Sequence, residues 1–391
     1  MIHYRHSRPE ERAALIAMAN RVFSNPRNST DFESMIPKVY APDRETSALQ
    51  YIALDDAERI CGLIAMLPDR IHVGDDTLKC GFIGTVSVIP ECRGQGIMIE
   101  LMKQWEDEAR REGMDILMLD GLRQRYQHYG YALGGQHCNF EINRADGVRH
   151  ALKDVDVEDC CFRVLEAGSE EETLANRLHE TQPFWHERAP QADPWENPWH
   201  YQPAGFARTG RSYHNVPYVF LKNGLFAGYV TSNPERSVLM EIRPADPADL
   251  DRMLKVWSDE TGLPSFTVTV PAWDTAVVRR LAAWSEWPSL RPAGQFRILN
   301  WQHVLQVMLG LKAECSTLSD GSFGFTVENE TFTITVRDGQ PSVTKGAEAP
   351  LVLDVLEAEN LFLSVIPTCS VDGLPSDWFP LPFSNLVPDQ F

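Results

Sequence analysis

The sequence predicts an α/β protein built from more than one domain. The chain has 391 residues, which is more than one ordinary hydrophobic core accommodates. In residues 1–150, amphipathic stretches of helical period alternate with short apolar runs of strand length, an order typical of an α/β domain. Much of that order returns in residues 218–283, and the pattern changes again after about residue 297.

The first 150 residues predict a regular alternation of helices and strands. Ser7 and Glu10 have the spacing of a capping box, and a one-sided apolar face follows them, which predicts the first helix. Alternating or continuous apolar runs predict the strands, and apolar residues three and four positions apart predict the other helices. The later predicted elements are a hairpin over 51–67, a strand over 82–90, a helix from 97 to about 112, a strand over 115–121 and a short helix over 122–129.

Residues 218–283 repeat the later half of this order with a different loop. A hairpin around Asn223-Gly224 is followed by strand, loop and helix, and then by another strand and helix,. Where the first copy has Arg-Gly-Gln-Gly, the second has Asp246, Pro247 and Asp249. Carboxylates at a helix N-terminus already occupy it and repel a phosphate. We interpret this region as a degenerate second copy with a structural role.

The remaining residues predict a smaller α+β unit. A helix leads into a polar strand-rich run, a second amphipathic helix follows near residue 360, and the chain ends in a proline-rich tail. The predicted domains are therefore 1–150, 151–292 and 293–391, with the tail belonging to the last one. The apolar side chains of this tail give it a reason to stay docked on the protein; they are Trp378, Phe379, Leu381, Phe383 and Leu386.

Composition argues against several classes of function. The chain has 36 basic and 55 acidic residues, a formal net charge of -19. A nucleic-acid-binding protein normally has the opposite sign, so we expect no nucleic-acid partner. No stretch approaches the roughly 18 apolar residues of a membrane span, and the N-terminus lacks the apolar core of a signal peptide. We therefore expect a cytoplasmic protein that does not contact a membrane.

The sequence also predicts no metal site. The eight cysteines include no CxxC pair, and the His186-Glu187 pair lacks the second histidine of an HExxH motif. Metal-binding histidines and cysteines normally occur at such spacings. We expect the cysteines to be buried or idle thiols of a reducing compartment.

The junction between the strand over 82–90 and the following helix predicts an anion site. A strand that passes through a glycine-containing turn into a helix presents free N–H groups and the positive end of the helix dipole. Gly94 and Gly96 allow a ligand to approach the backbone closely, and Arg93 can add a guanidinium to the same phosphate,. The expected ligand carries a phosphate or pyrophosphate.

Two common phosphate loops are excluded, and a third pattern matches. The sequence contains no GxxxxGK[ST] motif, and no glycine follows Gly96 at the place that GxGxxG requires,. Residues 93–98 resemble motif A of the GNAT acyl-CoA N-acetyltransferases, [QR]-x-x-G-x-[GA], with Met98 where glycine or alanine is usual. A second GNAT pattern, Y-x-x-x-G-[FY], matches Tyr126, Gly130 and Tyr131 after the next strand. Two matches in the right order favour function over packing alone.

The whole layout resembles one group within these enzymes. A GNAT domain, a degenerate GNAT copy and a third domain like sterol carrier protein together resemble the Eis (enhanced intracellular survival) family. A hydrophobic residue in place of the last motif-A glycine, here Met98, fits that family, and so does the closing sequence Pro-Asp-Gln-Phe. The resemblance implies tandem GNAT domains, the second degenerate, and a homo-oligomer, a hexamer in that family.

The resemblance also implies the reaction and its residues. Acetyl-CoA would be the co-substrate, and its acetyl group would pass directly to a primary amine in a ternary complex. Tyr126 would protonate the departing thiolate, and the C-terminal carboxylate of Phe391 would act as base or orient the substrate ammonium. Pantetheine would bind the strand and the pyrophosphate would bind the loop, through Val86, Ser87, Val88, Arg93, Gly94, Gln95, Gly96, Ile97 and Met98.

The acceptor stays open at this point. It would be a small-molecule amine or a lysine side chain, and a polycation such as an aminoglycoside or a polyamine would suit the acidic chain. The alternative is a non-catalytic protein that keeps CoA as a structural ligand and binds an apolar molecule in its third domain. An intact Tyr126 and an intact Phe391 terminus favour the enzyme.

Overall fold

The α/β fold class is confirmed by a computed structural model that describes residues 1–27, 29–346, 349, 351–366 and 371–391. The described residues form three mixed β-sheets with helices packed on them. The strands are β1 His3–His6, β2 Gln50–Leu54, β3 Ile60–Val73, β4 Asp76–Val88, β5 Ile116–Leu119, β6 Ala132–Gly134, β7 His137–Asn143, β8 Cys160–Val164, β9 Phe184–His186, β10 Val216–Lys222, β11 Leu225–Ser232, β12 Val238–Pro244, β13 Ser265–Pro271, β14 Ser289–Arg291, β15 Gly294–Ile298, β16 Gly321–Val327, β17 Glu330–Arg337, β18 Gln340–Lys345 and β19 Leu351–Val352. The helices are α1 Arg12–Phe23, α2 Phe32–Met35, α3 Pro37–Tyr40, α4 Ile97–Arg111, α5 Arg123–Tyr126, α6 Arg149–Ala151, α7 Glu170–His179, α8 Phe206–Gly210, α9 Leu250–Thr261, α10 Thr275–Ala282, α11 Trp301–Cys315 and α12 Val355–Leu363.

The first sheet has the order β1-β2-β3-β4-β5-β15-β6, with β9 paired to β3. Helix α4 connects the parallel strands β4 and β5, as a crossover between parallel strands requires. It packs against β2, β3 and β4, and its apolar face buries Leu101 and Trp105 completely. The start of α4 is thereby fixed at the end of β4.

The predicted cap of the first helix is wrong. The Ser7 hydroxyl donates to the Ser47 carbonyl at 2.9 Å instead of capping the helix. The Glu11 carboxylate accepts from the backbone N–H of Arg8 at 2.8 Å, and α1 begins one residue later. A serine with a tertiary acceptor is no longer available as a local cap.

The predicted hairpin over 51–67 is present as β2 and β3. Strand β3 continues to Val73 and forms a second hairpin with β4, which contains an irregularity. Its register shifts because Leu63 pairs with Ser87 while Ala65 pairs with Gly84. Strand β4 therefore has one extra residue at this point, and Thr85 adopts a positive φ of 54°. Such a bulge bends the strand and changes the direction of its side chains. The ladder between β4 and β5 ends at the pair Ile83–Leu119, so the two strands separate beyond the bulge.

The second sheet repeats part of the first. Its order is β14-β7-β13-β12-β11-β10-β8, and α9 connects the parallel strands β12 and β13 as α4 connects β4 and β5. The predicted hairpin around Asn223-Gly224 is present as β10 and β11. The predicted strand-helix order of residues 218–283 is therefore confirmed.

Two strands cross the predicted domain boundaries. Strand β7 precedes residue 150 but pairs in the second sheet with β13. Strand β15 follows residue 292 but pairs in the first sheet between β5 and β6. The three-domain division stays a prediction of the sequence, and the sheets show that chain order and sheet membership differ at these two places.

The third sheet, β18-β17-β16-β19, packs with α11, and the tail runs from it back to the first sheet. The described part of the tail buries Trp378, Leu381, Phe383 and Leu386. The backbone N–H of Gln136 donates to the Phe383 carbonyl at 2.8 Å. The tail therefore crosses the molecule as a packed segment and ends beside β4.

Candidate active site

The loop before α4 has an open helix N-terminus. Gly96 is the N-cap residue and has a φ of 76°, and no side chain of a described residue caps the helix. Gly94 has a φ of 77°, and a Cβ built on either glycine would meet no atom within 4 Å. The first turn of α4 therefore keeps backbone N–H groups available beside open space. This is the geometry in which a helix terminus binds an anion.

A cavity of about 420 Å³ lies in front of this loop. Helix α1, the end of β4, the loop and Arg125 of α5 contribute to its wall. Most of the residues expected to hold the cofactor lie here; these are Val86, Val88, Arg93, Gly94, Gly96, Ile97 and Met98. A neighbouring groove of about 610 Å³ shares Ile99 and Arg125 with it and reaches Tyr129. The two together run from the α4 N-terminus to α5.

Two of the expected cofactor residues do not face this cavity with their side chains. The Ser87 side chain points into the protein, where its hydroxyl donates to the Thr85 carbonyl at 3.0 Å. Successive side chains of a strand point to opposite faces, so Val86 and Val88 face the cavity and Ser87 offers only its backbone. Gln95 is exposed to solvent and does not line the cavity.

Arg93 and Ile97 stand at the two ends of the loop. The Arg93 side chain is exposed, and its Nε donates to the Val88 carbonyl at 3.3 Å, which holds the guanidinium next to the strand. The Ile97 side chain is buried against β3, where its Cγ2 lies 2.8 Å from the position of a Cβ at Gly62. Gly62 therefore allows α4 to approach the sheet, and Ile97 presents its backbone to the cavity.

Tyr126 is buried at the end of α5, with 6% of its surface exposed. Its ring packs on the chain that leaves β5, because a Cβ at Gly121 would lie 2.6 Å from the ring atom Cε2. Burial raises the pKa of the phenol, and the charge of Arg125 offsets part of this rise. The hydroxyl therefore keeps its proton at neutral pH and is able to donate it.

Phe391 lies against the bulged part of β4. Its ring contacts the position of a Cβ at Gly84 at 2.8 Å, and its backbone oxygen reaches the same position at 3.0 Å. The ring is 6.0 Å from the ring of Tyr40 and 6.5 Å from that of Phe82, measured between centroids. The terminal residue is 4% exposed. The structure thus places the terminus where β4 and β5 separate, one strand away from the chain that carries Tyr126.

A buried ionic network anchors the tail at Asp389, two residues before Phe391. Arg188 Nε and Nη2 donate to the Asp389 carboxylate at 2.7 and 2.8 Å, and Nη1 donates to Glu241 at 2.7 Å. Burial alone would raise the pKa of Asp389, but the charges of Arg188, His186 and His179 and the hydrogen bonds from Arg188 together outweigh it, and the pKa is lowered. A second anchor is Lys38, whose Nζ donates to the Pro388 carbonyl at 2.9 Å. Breaking such a buried pair by removing one partner is strongly destabilising.

Sequence reasoning missed several residues of this region. Arg125 lines both cavities, and its only signal was its position next to Tyr126. Asp120 follows the last paired residue of β5, and Tyr213 comes from a distant segment. The two residues come close only where the tail packs on the sheet. No local sequence pattern predicts such a contact.

Among the described residues, no group of three or more histidine, cysteine, aspartate or glutamate side chains is arranged to hold a metal ion. Cys369 lies outside the described part of the chain. None of the described helices combines the length and the apolar character needed to cross a membrane.

The strand, open loop and helix at residues 76–111, followed by a tyrosine after β5, define a class of acyltransferase domain. Residues 3–134 match the model of the acetyltransferase (GNAT) domain family. This part of the chain is therefore a GNAT domain, as the motifs in residues 93–98 and 126–131 predicted. No curated protein sequence is significantly similar to the chain.

Solved structures share the fold over nearly the full length. A GCN5-related N-acetyltransferase from Anabaena variabilis is 16% identical, with a TM-score of 0.65 and coverage of 94% of this chain and 91% of its own. A probable N-acyltransferase from Enterococcus faecalis is 16% identical, with a TM-score of 0.61 and coverage of 93% and 89%. Eis1 from Mycobacterium abscessus is 14% identical, with a TM-score of 0.59 and coverage of 93% and 89%. The predicted likeness to the Eis layout is confirmed at the level of the fold.

Proposed function

We propose that the chain is an acetyl-CoA-dependent N-acetyltransferase that acts on a primary amine. The observation that carries the proposal is the uncapped N-terminus of α4, which opens on a cavity at the separated end of β4. An anion site next to an unpaired strand edge suits a ligand that has both a pyrophosphate and an amide-containing arm. The GNAT domain over residues 3–134 supports the same conclusion.

Acetyl-CoA would bind through the backbone more than through side chains. The pyrophosphate would accept hydrogen bonds from the N–H groups of residues 94–98, where Gly94 and Gly96 leave open space. The Arg93 guanidinium stands at the edge of this loop and would add a charged contact. The pantetheine arm would pair with the edge of β4 that no longer bonds to β5. A backbone N–H of this edge would also stabilise the oxyanion that forms on the thioester oxygen.

Tyr126 would donate the proton that the departing CoA thiolate needs. The phenol lies at the end of α5, and its raised pKa keeps it protonated at neutral pH,. The Phe391 carboxylate would hold the substrate ammonium at the opening between β4 and β5, since its backbone oxygen already lies against Gly84 there. An unperturbed α-carboxyl has a pKa of about 3.5, which makes it better suited to orienting a cation than to removing its proton.

The acceptor class rests on charge. The formal charge of -19 favours a cationic molecule, either a small polyamine-like or aminoglycoside-like amine or a lysine side chain. By its resemblance to the Eis layout we also propose a cytoplasmic homo-oligomer with a third domain like sterol carrier protein. Light scattering on the purified chain tests the oligomeric part of this proposal.

Release of free thiol from acetyl-CoA across a panel of primary amines tests the function. We expect turnover that depends on the amine, with stoichiometric acetylated product detected by mass spectrometry. Acetyl-CoA binding without turnover for any small amine or lysine peptide would instead favour a non-catalytic CoA-binding protein.

A further inference from the structure

Asp120 occupies a special position in the first sheet. It is the first residue of its strand beyond the last bonded pair, Ile83–Leu119, and Gly84 is the corresponding residue of β4. Gly84 is the residue against which the backbone oxygen of Phe391 lies. Asp120 therefore stands on the strand next to the one against which the Phe391 terminus lies, at the point where the two strands diverge. Tyr126 packs on Gly121, the residue directly after Asp120.

Tyr213 connects these groups. The charge of Asp120 raises the pKa of Tyr213, and Tyr213 in turn raises the pKa of Tyr40, although burial is the largest cause in both phenols. Tyr40 shares a hydrogen bond of 2.6 Å with Thr85, and its ring contacts the ring of Phe391 in a tilted arrangement. The short turn at 212–214 also packs against the tail at 387–389. One cluster therefore contains the Phe391 terminus and four side chains, those of Asp120, Tyr213, Tyr40 and Thr85.

Two backbone outliers mark the same place. Tyr213 has φ and ψ of 58° and 35°, and Thr85 has a φ of 54°. Neither residue is glycine, and left-handed conformations of such residues store strain that the surrounding structure must hold. Strain of this kind is concentrated at functional sites, which makes the cluster a candidate for more than packing.

Asp120 has no counter-charge. It makes no hydrogen bond or ion pair with any described residue, and the residue as a whole is exposed. Burial by the surrounding protein nevertheless raises the pKa of Asp120 to about 6, and no charge among the described residues contributes to the shift. Tyr213 is the titratable side chain on which the charge of Asp120 acts.

We propose that Asp120 is the proton acceptor for the substrate amine, while the carboxylate of Phe391 holds the amine in place. This deepens the proposed function and rests on it. The bound ammonium gives one proton to Asp120, and the freed lone pair attacks the thioester carbon. The N–C bond forms and the C–S bond breaks, with the phenolic proton of Tyr126 going to the thiolate. The second proton of the nitrogen returns to the phenol through solvent, and Asp120 releases its proton to bulk water.

The base strengths favour this division of roles. A general base works best when its pKa is close to the working pH, and a group near 6 meets that condition better than an α-carboxyl of about 3.5. An unpaired, partly enclosed carboxylate destabilises the fold, so its presence calls for a compensating role. Such a local violation of good packing is expected at functional sites.

The variant Asp120→Asn tests the inference, because it keeps the shape and removes the charge. We expect kcat with the best acceptor of the amine panel to fall about 100-fold, while the Kd of acetyl-CoA stays unchanged. In the wild type, kcat/KM should decline as the pH falls through about 6, and in the variant this limb should disappear. Asp154→Asn is the matched control, because the Asp154 side chain is 89% exposed and far from the cluster in sequence and sheet.

Stability provides a readout that a structural role would not give. The folded-state pKa of about 6 lies above the ordinary value for aspartate, so the ionised form destabilises the fold above that pH and the penalty is gone below about pH 4. Asp120→Asn should therefore raise Tm at pH 8 and leave it unchanged near pH 4. A lower Tm together with lost activity at pH 8 would make Asp120 a structural residue and overturn the inference.

A binding measurement separates this inference from the proposed function. Calorimetry with spermidine at pH 8 should show tighter binding to the wild type than to Asp120→Asn, whether or not any acetyl group is transferred. Absence of turnover in the wild type with every amine would remove the proposed function, and the spermidine result would still decide about Asp120. Equal spermidine binding by the two proteins, including no binding by either, would overturn the inference. An unchanged pH profile in an active Asp120→Asn would do the same.

Discussion

Two units of the chain have the same strand–turn–helix order, β4 to α4 and β12 to α9. Their turns differ in whether a side chain caps them. In the first, Gly96 starts the helix in a left-handed conformation and leaves its N-terminus uncapped by described side chains. In the second, the Asp246 carboxylate accepts from the Ala248 N–H at 2.9 Å. Asp249 is buried and accepts from Lys222 at 2.9 Å. Helix α4 begins at an open glycine turn, whereas α9 begins after a short turn at 247–249 that is capped by its own Asp246.

The spaces in front of the two turns differ in the same way. A cavity of about 340 Å³ lies beside α9, but its charged residues already form ion pairs with each other. Arg280 donates two hydrogen bonds to Asp251, and Arg243 is paired with Asp274. The first cavity has glycines and a free helix end in the corresponding place. The comparison teaches that the backbone plan sets the position of a site and that the turn residues decide whether it is available.

The largest effect should follow the loss of the Tyr126 hydroxyl. The second unit has no equivalent tyrosine, because the residue that follows β13 in this place is Asp274, which caps α10. Tyr126→Phe keeps the ring packed on Gly121, so acetyl-CoA affinity should stay unchanged. We expect kcat to fall by roughly 10²–10⁴ because the thiolate loses its proton donor. Steady-state kinetics and calorimetry measure the two effects. Tyr218→Phe in β10 is the control, and activity of Tyr126→Phe close to that of the control would make Tyr126 a packing residue.

Extension of the C-terminus should be the next largest effect. Residues added after Phe391 displace its carboxylate from the opening beside Gly84, although the buried Arg188–Asp389 pair still holds the tail. We expect normal acetyl-CoA binding and poor amine acetylation, seen as a lower kcat/KM for the amine. The same extension before Met1, which is 84% exposed, should leave activity intact. Equal activity of both proteins would show that the terminal carboxylate takes no part in the reaction.

Gly96→Asp tests the open turn directly. The substitution places a negative charge where the pyrophosphate would approach the α4 N-terminus, so the affinity for acetyl-CoA should fall at least tenfold, about 1.4 kcal/mol. Gly224→Asp is the matched control in the second sheet, because Gly224 also has a positive φ, 74°, and open surroundings. Both variants have the same backbone strain, and only the first lies at the loop. Equal affinities in calorimetry would contradict the phosphate-loop assignment.

The sequence predicts the parts of this protein that are local and misses those that join distant segments. The loop at 93–98 is encoded by a strand, two glycines and a helical stripe in succession, so its geometry could be predicted. The degenerate turn at Asp246 was predicted for the same reason. Strand β15 between β5 and β6 was not predicted, because its partners are more than a hundred residues away and its own sequence is that of any buried strand. Asp120 and Tyr213 meet Phe391 only through sheet register and tail packing, which hydrophobic periodicity does not encode.

The smallest effect should come from removing Asp246, the residue that caps the turn before α9. Asp246→Ala deletes the side chain that satisfies the Ala248 N–H, and loss of such a cap costs about 0.5–2 kcal/mol. For a domain of this size we expect Tm to fall by roughly 2–4 °C per kcal/mol, with catalysis and acetyl-CoA affinity unchanged. Opening this turn should not create a second cofactor site, because the buried Asp249 carboxylate remains there and already occupies Lys222 and Arg252. Calorimetry should therefore still give one acetyl-CoA per chain. Two acetyl-CoA molecules per chain would mean that the Asp246 cap alone prevents cofactor binding at the second turn. One molecule per chain, together with a lower Tm, would mean that the other carboxylates of this turn also prevent binding.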